Sequence, residues 1–177
     1  MIKSLLKFFL WFVALVAAAA LATTFWMGGM QPVSIIERTD GPFLFVYREM
    51  SNLDPTKIGD ITSELDHLLA GAGVTQRRPL DVFFPDEHVE IGFSVAGVTR
   101  AKLDSLAGQP KVREIAKQGY MLTRFPYRNR LSYVLGFLKV DPALSRYREA
   151  HGYTKVEAMA VNDSSWITYM QPVVREK

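Results

Sequence analysis

The sequence predicts an α+β fold, in which two pseudo-symmetric strand-helix-strand-strand modules form one antiparallel sheet with both helices on one face, behind an amino-terminal transmembrane helix. Three observations lead there. An uncharged run of twenty residues, Phe8 to Met27, lies near the start. Two later segments, around Ile58–Leu69 and Leu131–Leu144, carry apolar residues at the three- and four-residue spacing of an amphipathic helix. Each is flanked by short runs rich in alternating, β-branched and aromatic residues, the pattern of half-buried strands.

Twenty helical residues at ~1.5 Å each just cross a ~30 Å hydrocarbon layer. Lys3 and Lys7 precede the run, Gly28-Gly29 follows it, and Phe25-Trp26 suit an interfacial belt. Arg38 is the only base within about 15 residues of the far end, so the positive-inside rule places the amino terminus in the cytoplasm. The same run also reads as a signal peptide, with Leu5–Val16 as apolar region and Ala20-Leu21-Ala22 as a small-residue cleavage site. Either reading exports the remainder. Residues 1–29 are therefore the membrane anchor and residues 30–177 one domain.

Within the domain, Gln31–Thr39 reads as a strand and Asp40-Gly41-Pro42 as its turn, followed by an alternating strand from Phe43 to Arg48. Asp54-Pro55 is a helix-start signal. Ile58, Ile61, Leu65, Leu68 and Leu69 make one apolar face, and Gly71-Ala72-Gly73 stops the helix near Ala70. Leu80–Phe84 and Val89–Val95 form a hairpin around Pro85-Asp86-Glu87-His88. After a short helical turn at Ala101–Ala107 the order repeats: strands at Val112–Lys117 and Tyr120–Phe125, a helical face of Leu131, Val134, Leu135 and Leu138, and a second capping signal at Asp141-Pro142. Leu144 and Tyr147 continue the helical face to Gly152, and the last hairpin pairs Lys155–Val161 with Trp166–Met170. Pro32 and Pro110 lie 78 residues apart, as do Gly41 and Gly119, which suggests an internal repeat of that period. Two such modules side by side leave the sheet face opposite the helices free to bind something.

Composition narrows the function. Outside Lys3 and Lys7 the chain has 19 basic and 18 acidic residues and no Lys/Arg-rich block, which sets nucleic acid aside. There is no cysteine, so disulfides and thiolate metal sites are excluded. His67, His88 and His151 have no second ligand at metal spacing, Gly71-Ala72-Gly73 follows a helix where a nucleotide loop follows a strand, and no Gly-x-Ser-x-Gly elbow occurs. No cofactor is expected.

Gly41-Pro42-Phe43, Phe125-Pro126-Tyr127-Arg128, Asp141-Pro142-Ala143-Leu144, Glu149 to Tyr153 and a final hairpin ending Ile167-Thr168-Tyr169, in that order, resemble the GyrI-like, or bacterial effector-binding, superfamily across about Pro32 to Val173. With its amino-terminal anchor the chain is similar to a membrane-anchored branch. The resemblance implies two modules related by a pseudo-twofold with a cleft between them. It implies one of several activities: binding of small amphipathic or cationic molecules, gyrase inhibition, or hydrolysis of strained electrophiles. Ligand-binding members carry a Pro-x-x-Glu-x-Tyr strand after the second helix. Here Val156, Met159 and Val161 stand in those places, and a carboxylate falls to Glu157 only by a two-residue shift.

Aromatic side chains on the open face suit stacking on a flat or apolar ligand: Phe45, Tyr47, Phe93, Phe125, Tyr127 and Trp166. Glu49 and Glu90, in or beside strands, are candidate cleft acids, Met159 lines the family's acid position, and Arg124 and Arg128 are candidate carboxylate binders. The expected function is non-catalytic binding of a small amphipathic molecule in the inter-module cleft, by a single-pass protein of a bacterial inner membrane whose domain faces the periplasm. The alternatives are a hydrolase of small electrophilic compounds using a cleft acid and a tyrosine, and a module that binds another envelope protein and no small ligand.

Overall fold

A computed structural model of the chain describes every residue except Met1, Met27, Gly29, Met30, Asn52 to Asp54, Glu87, Arg130, Glu176 and Lys177; of residues 2–6, Pro55 and Thr56 it describes the backbone. The expected helix cap at Asp54 lies outside the described residues.

Helix α1, Ile2–Trp26, stands apart from the body, and its Lys7–Trp26 stretch is long and apolar enough to cross a membrane and buries nothing within the protein. The body is one eight-stranded antiparallel sheet. Its strands are β1 (Ile36–Asp40), β2 (Phe43–Met50), β3 (Gln76–Phe83), β4 (Val89–Ala96), β5 (Lys111–Ile115), β6 (Gln118–Pro126), β7 (Ala158–Asp163) and β8 (Trp166–Pro172), in the spatial order β1-β6-β8-β7-β3-β4-β2-β5. Its helices are α2 (Pro55–Gly71), the short α3 (Arg100–Asp104) and α4 (Leu131–Ala150).

That order reads the same from either end once the modules are exchanged. The two halves join through β3 and β7, with Leu80 opposite Val161 and Asp81 opposite Ala160. The short strands cross over: β1 pairs with β6 of the second module, and β5 with β2 of the first. Strand pairing sets the repeat at 75 residues here, because Arg38 opposite Tyr120 corresponds to Arg113 opposite Phe45. The 78-residue offset of Gly41 and Gly119 is a coincidence of composition: Gly41 lies between β1 and β2, whereas Gly119 lies inside β6.

Alternation along the strands sorts the side chains onto two faces. On one, α2 covers Val46, Phe93 and Val95 with Leu65 and Leu69, while α4 covers Met121, Phe125, Ala160 and Ile167 with Val140 and Leu144. Gly136 admits the close approach of α4, since a Cβ there would run into the Tyr169 hydroxyl and the Phe125 ring. The helix runs unbroken through Pro142, where the sequence suggested a fresh start. Proline there forfeits one backbone hydrogen bond, and the packed face of Gly136, Val140, Leu144 and Arg148 holds the axis across it.

The opposite face is not open as expected. The sheet curls so that Phe45, Tyr47, Leu80, Val82, Ile115, Tyr120, Leu122, Met159 and Met170, drawn from both modules, bury one another. A curled sheet brings strands of both modules to face one another across its concave side, and apolar side chains fill the space.

Candidate ligand-binding site

The functional-looking chemistry gathers at the β5 end of the concave face. Phe45 and Tyr47, two residues apart on β2, point the same way and stack with ring centroids 4.9 Å apart. Gly92 of β4 lies directly across from Tyr47, where a Cβ would strike the Val46 carbonyl; glycine is what lets β2 and β4 approach so closely. Arg113 sits opposite Phe45 on β5. Its guanidinium lies 5.5 Å from the Phe45 ring centroid, 5.8 Å from that of Tyr47 and 6.0 Å from that of Phe84, within the range of cation–π attraction. It also donates two hydrogen bonds, of 2.7 and 3.0 Å, to one oxygen of Glu90, a residue only 5% exposed. An aromatic cage closed by a buried carboxylate therefore surrounds a cation, and the cation is the chain's own.

Around this box lie Glu49, which faces Glu90 across the β2–β4 ladder and accepts a hydrogen bond from Lys111, and His88, whose ring packs 5.2 Å from Phe84. The Lys111 hydrogen bond holds the Glu49 carboxyl below its ordinary range. Burial and then the Glu90 charge push the Tyr47 phenol up. Glu49, His88 and Glu90 bring one ligand atom each within 4.8 Å of one another, a grouping that residue spacing alone did not reveal. Lys111 and Arg113 already neutralise its two carboxylates.

A second polar group lies on the helix side, where β3 meets β7. Asp81 keeps part of its surface exposed, but burial drives its carboxyl up to about 7, against which a hydrogen bond with the Gly92 backbone works. Tyr133 of α4 is pushed up by burial and by the Asp81 charge, while a hydrogen bond with Asn162 of β7 opposes the shift. Tyr169 donates to the Tyr133 carbonyl at 3.2 Å, and Tyr127 meets Tyr133 edge-on at 5.6 Å. Asn162 Oδ1 is buried without a partner. Asp81 escaped notice in the sequence; its one signal was a lone acid among the apolar residues of Leu80–Phe84.

Of the residues singled out from sequence, Phe45, Tyr47, Glu49, Glu90 and Met159 share the concave face. Phe93 and Phe125 lie on the other side of the sheet, Phe93 against the α2 core and Phe125 beneath α4; their partners Val46 and Ile167 show why, since each is an inward neighbour of a helix. Tyr127 is half-buried with the α4 cluster. Trp166 is exposed at the β7–β8 turn, opposite Pro126, and Arg124 and Arg128 are exposed as well. A separate cavity of about 310 Å³ between Gly73–Gln76 and Ala96–Thr99 includes none of these residues.

No family profile and no curated protein matches the sequence. Among solved structures the chain is similar to SAV2435 bound to tetraphenylphosphonium, at 12% identity over 79% of this chain and 93% of that one, with a TM-score of 0.58. It is similar also to the EcmrR C-terminal domain, at 11% identity over 81% and 99% of the two chains with a TM-score of 0.60. A hydrolase from Listeria innocua aligns at 11% identity over 79% and 91%, with a TM-score of 0.56. At such identities the likeness is one of fold, and that fold is consistent with the GyrI-like architecture expected from the sequence.

Proposed function

We propose that this protein is a membrane-tethered binding domain that takes an amphipathic organic cation at the box of Phe45, Tyr47, Phe84 and Glu90, with Glu49 and Met159 at its margin. The observation that carries the reading is Arg113, held against three aromatic rings and a buried acid. A site that stabilises a guanidinium by these means also favours organic cations that carry apolar surface around their charge. Such a ligand displaces Arg113 toward solvent, which its partial exposure permits. The bound tetraphenylphosphonium of SAV2435, a protein of like fold, supports this ligand class. In this reading α1 is a retained anchor in a bacterial inner membrane and the domain faces the periplasm.

The test is native mass spectrometry and thermal shift on the detergent-solubilised full chain with tetraphenylphosphonium. Arg113→Ala should bind it at least about tenfold more tightly than the wild type by removing the internal competitor. Glu90→Gln in that background should abolish the gain. Absence of binding to both wild type and Arg113→Ala would discard the cation reading and turn attention to an envelope protein as partner.

A second reading rests on Asp81. A carboxyl that holds its proton near neutrality beside Tyr133 has the makings of a general acid, as hydrolysis of a small electrophile such as a strained epoxide requires. Turnover of such compounds that Asp81→Asn removes and Glu90→Gln leaves intact would favour it.

A further inference from the structure

Helix α4 is apolar on both sides over its first two turns. Ser132, Gly136 and Val140 face the sheet, while Leu131, Val134, Phe137 and Leu138 lie on the other side, each more than half exposed. Their spacing of three, three and one residues puts them on one stripe about 10 Å long. A helix apolar all round has its outer face against something that is not water. The matching face of α2 is ordinary, with Lys57, Asp60, Ser63, Glu64 and His67 in solvent, and the second half of α4 exposes Arg146 and Glu149. The stripe is a local feature of one half-helix.

What lies beside it identifies the occupant. The chain leaving α1 touches the body at both ends of this segment: Gly28 sits against the Pro126 ring, and Lys139 donates a hydrogen bond to the Gln31 carbonyl. Gly28 is two residues past the end of α1, so at ~3.5 Å per residue this point of contact with the body lies no more than ~7 Å beyond Trp26. That distance is within the headgroup layer, ~5–8 Å thick on each side of the hydrocarbon. Trp166, directly across the ladder from Pro126 and 42% exposed, is the aromatic type that settles at this depth. We propose that the outer face of residues 131–138 of α4 lies in the interface of the same bilayer that α1 crosses, with lipid as its partner, so that the domain is docked on the membrane and not merely tethered to it. The proposal rests on the anchor reading of α1.

The chain has no cysteine, so single labelling sites can be introduced cleanly. Full-length Leu15→Cys, Leu138→Cys and Arg146→Cys, each carrying an environment-sensitive fluorophore, are reconstituted in phosphatidylcholine/phosphatidylglycerol vesicles containing nitroxide lipids. Quenching at 138 by shallow nitroxides should exceed that at 146 at least about threefold, independently of protein-to-lipid ratio, and Val134→Glu should remove most of it. Quenching of 15 by deep nitroxides with 138 left in water overturns docking while the anchor stands. No lipid quenching at 15 means that the anchor reading has failed and the docking with it. A signal at 138 that responds to protein density and not to lipid nitroxides assigns the stripe to a second copy of the chain, and overturns the proposal too.

Discussion

The two ends of the concave face are built on one plan but are lined differently, with Leu122 and Arg124 at one end in the places that Tyr47 and Glu49 take at the other. At one end β5 sets Arg113 opposite Phe45; at the other, β1 sets Arg38 opposite Tyr120. The strand beyond β2 carries Glu90, and in the corresponding place beyond β6 stands Thr168. Arg113 turns inward over the rings to reach Glu90, whereas Arg38, 52% exposed, turns to its neighbour Asp40 on the edge strand. Tyr120, without a cation above it, is fully buried and hydrogen-bonded by Gln118. The difference teaches that a single ring with no buried carboxylate beside it does not hold a cation here. A carboxylate too buried to be solvated draws one in, because an unpaired charge in that place costs several kcal/mol.

The sharpest way to break this comparison is to remove each arginine in turn. Arg113→Met should lower the unfolding free energy in urea by about 3 kcal/mol, since Glu90 is left buried and unpaired, and Arg113→Met/Glu90→Gln should recover most of the loss. Next in size is the seat of the second helix. Gly136→Ala should cost about 2 kcal/mol by forcing α4 off Tyr169 and Phe125, and should blunt the near-ultraviolet circular dichroism of those rings.

Smaller, and of opposite sign, is the effect of Asp81→Asn at alkaline pH. The folded carboxyl titrates at about 7 against about 3.9 in the unfolded chain, so between those values the folded state holds a proton that the unfolded state has lost. Stability from this group is then greatest below pH ~4 and declines as pH rises to ~7. Partial exposure of Asp81 moderates the decline, and Asp81→Asn should stabilise by about 1–2 kcal/mol at pH 8 and by almost nothing at pH 4, read as thermal midpoints across that range. Smallest of all, Arg38→Met should stay within about 0.5 kcal/mol of the wild type, because its ion pair is exposed to water. An Arg38→Met loss as large as that of Arg113→Met would erase the distinction between the two ends.

The elements were legible because each is written in local chemistry. The helix from Ile58 to Leu69 declares itself by its apolar spacing and its glycine stop, and the hairpins by alternation and by Pro85-Asp86 or Asp163-Ser164 at their turns. Which face a residue takes was legible only in part. Alternation puts Phe45 and Tyr47 together, but it does not say that Phe93 belongs with Val46, since that depends on a ladder between strands more than forty residues apart. Asp81 is a harder case still: in sequence it is one acid in a strand, and its raised carboxyl comes from burial that exists only once the fold has packed around it.

By itself, then, the sequence determined the apolar first helix, the α+β class and the order strand, helix, strand, strand taken twice, because backbone periodicity and turn chemistry act between near neighbours. Only the tertiary structure decided that the sheet curls shut on the face opposite the helices, that β1 and β5 exchange modules, and that Arg113 occupies an aromatic box with Glu90. Those outcomes depend on side chains that compete for the same enclosed volume and charge, and that competition begins only when distant strands have paired.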